Sequence, residues 1–241
     1  MVDPSRAALL LLADGRLPAG GHAHSGGIEA ATVDGSVTDL ADLERFLRGR
    51  LATAGLVAAT FAAATCRSSR RSHPGGSVPA KIVAAETVAT PTGVIADLDA
   101  ELDARTPSPA QRSASRAQGR ALLRAGRAAW PGVSCPIPAP HHPVAFGLVA
   151  AHSGLSPADV ALAVAYGAIS GPASAATRLL ALDPLAVTAV LARLSTDVEH
   201  TAAEATALSN RPPAGLPATT APRLELLAER HHTAEIRMFA S

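Results

Sequence analysis

His22, His24 and Ser25 lie within four residues of one another, bracketed by Gly20, Gly21, Gly26 and Gly27. Glycine accepts positive φ and lets another backbone approach closely, so four glycines in one turn fix a shape. That shape could hold a phosphate, a metal or a nucleophile. A phosphate-cradling loop needs the G-x-x-x-x-G-K-[ST] pattern between a strand and a helix. Here there is no lysine, and the residues before the turn do not read as a strand. A metal needs three or four converging ligands. His22 and His24 supply two, and the other pairs, His141–His142 and His231–His232, are adjacent in sequence. Adjacent residues on a helix point about 100° apart. A Ser25–His24 nucleophile would have Asp14 or Asp34 nearby in sequence, but a triad is a matter of geometry. Ser25 reads instead as a helix N-cap, and Cys66 and Cys135 have no evident base beside them.

The elements that position these residues are set by composition. The chain has 241 residues, 48% hydrophobic and only 2% aromatic. A core built from Ala, Leu and Val favours closely packed helices over strands. The expectation is one all-α domain over residues 1–241, a helical bundle of about eight to ten helices. A net charge of +1 lacks the basic footprint of a nucleic-acid binder. Two cysteines make no disulfide framework, which favours a reducing cytoplasm. Ala7–Ala13 is too short and too soon interrupted by Asp14 for a secretory leader. Val160–Thr177 approaches membrane-spanning length, but Ser170-Gly171-Pro172 divides it into two expected core helices. No membrane partner is expected.

Local signals place the helices. Leu9–Leu12 and Ile28–Val33 read as short helices. Thr38 and Asp39 offer the N-cap of a helix whose Leu40, Leu43, Leu47 and Leu51 share one face. A separate apolar helix spans about Leu56–Cys66. Arg67–Gly93 keeps no period and reads as a mobile insertion, with a weak helix around Ile82–Val88. Ile95–Leu102 is a short helix. Ser108 and Pro109 open a helix to Trp130. Its arginines 112, 116, 120, 124 and 127 share a face suited to solvent, an acidic partner or interhelical ion pairs. Val144–Ser153 follows. Ser156-Pro157-Ala158-Asp159 starts the next helix, to about Ile169, with Ala173–Ala181 beyond Pro172. Asp183-Pro184 opens the longest helix, about Leu185–Leu208. Residues 211–222 form a Pro-rich linker to a last helix, Leu224–Phe239.

Several stretches together resemble the UreF family of urease accessory proteins, in its actinobacterial type. The turn Leu17-Pro18-Ala-Gly20-Gly-His-Ala-His24-Ser25-Gly-Gly27-Ile-Glu29 is similar to the family's N-terminal signature. Ser115-x-x-Gln118-Gly119, Ser153-Gly-Leu and Arg178-Leu-Leu-Ala-Leu-Asp-Pro are similar to its central helices. Arg230, His231, Arg237, Phe239 and Ser241 match its tail.

The resemblance implies a dimerising all-α protein with no catalysis of its own and no tightly bound cofactor. It implies binding to the scaffold UreD, also called UreH, and recruitment of the GTPase UreG for nickel delivery to apo-urease. The matched tail residues Arg230, His231, Arg237, Phe239 and Ser241 become candidates for the UreD side. Arg178 becomes a candidate for coupling to UreG. Pro18, Gly20, His24, Ser25, Gly27 and Glu29 form the family turn. The alternatives are a nickel-binding metallochaperone, a helical hydrolase using Ser25 and His24, and a GTPase stimulator acting through Arg178.

Overall fold

The computed structural model describes residues 5–71 and 91–241. Among them lie eleven α-helical segments and no strand, in agreement with the all-α expectation. In chain order these are α1 (Ser5–Ala13), α2 (Ile28–Val33), α3 (Leu40–Arg50), α4 (Leu56–Arg71), α5 (Pro91–Ala104) and α6 (Pro109–Ala129). Then come α7 (His142–His152), α8 (Pro157–Leu179), α9 (Pro184–Arg193), α10 (Ser195–Leu208) and α11 (Pro222–Thr233).

Helix starts follow the local chemistry. The side chains of Asp39, Ser108 and Asp183 accept from backbone N–H groups of the first turn. Ser156 and Asp159 complete a reciprocal capping box.

Five expected boundaries are corrected. The helices expected at Leu40–Leu51 and Leu56–Cys66 are one continuous rod, Leu40–Arg71, joined through a π-helical turn at Leu51–Gly55. The rod carries Arg67–Arg71, and α5 begins at Pro91, so both ends of the expected 67–93 insertion are helical. The rest of that segment, with the expected helix at Ile82–Val88, lies outside the described residues. The expected break at Pro172 is absent, because α8 runs through it. The expected long helix Leu185–Leu208 divides at Leu194, which is fully buried where the chain bends. The last helix stops at Thr233, and residues 234–241 form an irregular tail.

Continuity through Pro172 has a specific cause. Proline lacks the N–H that would bond the carbonyl four residues earlier. That carbonyl, on Ala168, instead accepts from Nε of Arg50 at 3.0 Å. The donor lost within α8 is supplied by α3.

The core is centred on α4, packed against α7, α8, α10 and α5. Phe61, Ala62, Ala63 and Cys66 are buried on it. Small residues let the axes come close: a Cβ on Gly147 of α7 would lie 2.4 Å from the Ala62 carbonyl oxygen. Buried Thr60 and Thr65 donate to the carbonyls one turn back, so they leave no unpaired hydroxyl. Burial pushes the Cys66 thiol up to about 12, and it donates to the Leu155 carbonyl. The stretches Leu40–Arg71 and Pro157–Leu179 are long and apolar enough to cross a membrane by length and composition. Their apolar windows are 67% and 56% buried inside the protein, as core helices are.

The arginine face of α6 divides. Arg116 makes ion pairs with Asp99 (3.0 Å) and Asp103 (2.7 Å) on α5. Arg112 donates to the carbonyls of Thr106 and Pro107. Fully enclosed His141 joins this network: its N–H donates to Asp99, and its ring lies 3.0 Å from both Asp103 and Ser115. The 211–222 linker is anchored, with Leu216 buried and Pro222 already the first residue of α11.

Candidate interaction site at the N-terminal turn and the C-terminal tail

The glycine turn is held from behind by Arg50. Its Nη1 donates to the Gly26 carbonyl at 2.8 Å while its Nε serves Ala168. Gly26 has φ of +64°, and a Cβ there would lie 2.9 Å from Cγ of Pro172. A side chain at this position would therefore meet both left-handed strain and a wall. The turn is thus pressed against the one point of α8 where proline removed a hydrogen bond.

Ser25 does not cap α2. The N-cap is Gly27, with φ of +94° and no side chain to accept a bond. Ser25 is fully buried and its Oγ has no partner among the described residues. Its backbone N–H instead donates to the Ser241 carbonyl at 2.5 Å. His24 turns away from it, with Nδ1 2.5 Å from Oγ of Ser241. A serine–histidine nucleophile is not assembled at this turn. Burial, with a smaller contribution from His22, lowers the His24 pKa from its ordinary value. Among the described residues, no three His, Cys, Asp or Glu side chains converge as a metal site.

The turn and the tail clasp each other through Glu29. Its carboxylate accepts from the N–H groups of Met238 (2.6 Å) and Phe239 (3.1 Å). It also lies 2.7 Å from Nε2 of His231, and both side chains are buried. Burial alone would raise the Glu29 pKa, but the bonds from Met238, His231 and Phe239 hold it below the ordinary value. Ala240 adds a backbone bond to Ala23 at 2.7 Å. Phe239 is buried with the Arg178 guanidinium 4.8 Å above its ring, within cation–π reach.

The residues expected from the sequence therefore separate into two groups. Glu29, His231, Phe239, Ser241, His24 and Arg178 meet in one locus. Arg230 and Arg237 point outward, Arg230 lying 3.5 Å from Asp34 and Arg237 3.5 Å from the His232 carbonyl. Pro18 is exposed, and Gly20 sits over Cβ of Ala121 on α6. Ile236 and Met238 are exposed at 93% and 65%. Arg50 was missed by sequence reasoning. The only hint was an arginine at the end of a leucine stripe, which reads equally well as a solvated residue.

The family model described as UreF matches residues 37–195. A protein described as urease accessory protein UreF from Mycolicibacterium vanbaalenii is 46% identical over 242 residues, covering 98% of this chain and 99% of that protein. Proteins of the same description from Mycobacterium sp. (strain JLS) and Mycobacterium tuberculosis are 46% and 44% identical. The former alignment covers 97% of both chains, the latter 98% of this chain and 99% of its counterpart.

Proposed function

This chain belongs to the UreF family of urease accessory proteins, non-catalytic proteins of urease nickel-centre assembly, and on that premise we propose that it works as an adaptor. In this reading it binds the UreD (UreH) scaffold, recruits the GTPase UreG, and acts as a homodimer on apo-urease in the cytoplasm. Nickel is cargo of the assembled complex and not a resident cofactor of this chain.

The observation that carries the reading is the docked tail. A buried row, His231 and Phe239, fixes the segment to Glu29, while Arg230, Ile236, Arg237 and Met238 face solvent. Exposed Leu226 lies one turn before Arg230 on α11, and exposed Val33 precedes Asp34, the ion-pair partner of Arg230. Apolar side chains flanked by arginines are the composition of a protein-binding surface. On this proposal Arg230 and Arg237 contact UreD directly, and His231, Phe239 and Ser241 hold the contact surface in shape. Arg178, stacked on Phe239, links the same surface to the site of UreG coupling.

Affinity capture tests this. The full chain should retain UreD and, with it, UreG. A chain ending after Thr233 should lose UreD, and Arg178→Ala should keep UreD but weaken UreG. Failure of the full chain to capture UreD overturns the proposal. Tight, stoichiometric nickel on the isolated protein in equilibrium dialysis would favour the metallochaperone reading instead.

A further inference from the structure

A cavity of about 470 Å3 opens between α6, α11 and the α3–α4 rod, bordered by the glycine turn and the tail. Its wall holds polar groups that the fold leaves unused. Arg50 spends Nε and one N–H of Nη1 on carbonyls; Nη2 has no partner among the described residues, and no carboxylate pairs with it. Burial pushes this guanidinium down to about 10, so it stays charged at neutral pH. The carboxamides of Gln111 and Gln118 also line the cavity and make no hydrogen bond among the described residues. Gln118 belongs to the Ser115-x-x-Gln118 stretch. Ser115 is explained by its bonds to His141 and His142, whereas the Gln118 carboxamide has no partner among the described residues. His142, held neutral by burial with its pKa at about 4, sits on the same wall. Arg50, Arg105 and the exposed Arg237 border the cavity with one acidic side chain, Glu225; among the described residues Arg105 is paired with Glu101, while Arg50 and Arg237 form no ion pair.

We infer that this cavity receives an extended acidic segment of a partner polypeptide. One carboxylate side chain meets Nη2 of Arg50, and the segment's backbone amides pair with Gln111 and Gln118. A guanidinium is suited to a carboxylate, and a carboxamide offers both a donor and an acceptor to a peptide group. The dimensions agree. Gln111 and Gln118 are seven residues apart on α6, about 10 Å along a helix, which an extended chain spans in about three residues. The inference deepens the adaptor proposal, on which it rests for the existence of a partner.

The probe is N-acetyl-Gly-Glu-Gly-amide, titrated into the full chain by calorimetry, with N-acetyl-Gly-Gln-Gly-amide and free glutarate as comparisons. The glutamate peptide should bind saturably and more tightly than either. Gln118→Leu should weaken it roughly tenfold or more, since a buried polar pairing is lost. Gln118 supports nothing else, so that variant should melt with the parent protein. Arg50→Gln should abolish the preference for glutamate over glutamine. Equal binding of the glutamine peptide, equal binding of glutarate, or indifference to Gln118→Leu overturns the inference. Capture of UreD in parallel separates the two proposals. UreD captured without peptide binding removes this inference alone; peptide binding without UreD capture removes the adaptor reading.

Discussion

Glu29 is a buried carboxylate facing three donors, and its titration should control the tail. Its folded pKa lies below the ordinary value, while an unfolded glutamate titrates near 4.3, about the model-peptide value. A group depressed in this way contributes its stabilisation above the unfolded pKa and loses it as pH falls through the folded one. Protection of the Met238 and Phe239 amides from exchange, relative to the intrinsic rate at each pH, should therefore be high at neutral pH and fall at acid pH below about 4. Glu29→Gln removes the charge while keeping the shape, and places an NH2 group among donors. It should cost about 1–3 kcal/mol of tail docking and flatten that pH dependence. A Gln variant that retains the parent's acid response would show that another group titrates. Burial lowers the pKa of nearby His24, which disfavours a charge on its ring.

At the scale of elements, α8 and the α3–α4 rod are coupled through one side chain. Arg50 supplies the hydrogen bond that Pro172 denies to Ala168, and its other arm fixes Gly26. Arg50→Met should destabilise the protein by about 1.5–3 kcal/mol, since two bonds from a charged donor are lost. Pro172→Ala restores an N–H that can reach the Ala168 carbonyl, so in that background the loss should shrink by about 1 kcal/mol. Urea unfolding of the two single variants and the double variant measures the coupling. Strictly additive losses would mean that the proline and the arginine act independently.

For the whole molecule, the tail is an addition to a bundle that is otherwise complete. Of residues 234–241, only Phe239 joins the core. A chain ending after Thr233 should keep its helical circular dichroism and unfold in one cooperative step. Losing the burial of one phenylalanine, about 2 kcal/mol, should lower the melting temperature by about 4–8 °C. Loss of cooperative unfolding would instead place the tail within the folding unit. The two terminal segments are thus joined by a few polar contacts and by one buried ring, Phe239, at the edge of a core built from the helices.

Helix starts were legible because caps are local: Asp39, Ser108, Ser156 and Asp183 each act within three residues of themselves. The leucine stripe of α3 was legible because a buried face repeats with the helical period. Composition alone was enough for the all-α class, and the short motifs along the chain, taken together, were enough for the family. The expected break at Pro172, the expected cap at Ser25 and the expected helix through Phe239 were not. Each depended on a partner far along the chain: Arg50 lies 118 residues from Ala168, and Glu29 lies 210 from Phe239. Propensity describes what a segment does with its own neighbours, and a donor or acceptor supplied from elsewhere reverses that preference. The sequence by itself therefore determined the class of fold, the side-chain-capped helix starts and the family. Only the tertiary structure decided that the two terminal motifs pack against each other, because closing a buried carboxylate around distant amides requires the bundle to bring its ends together.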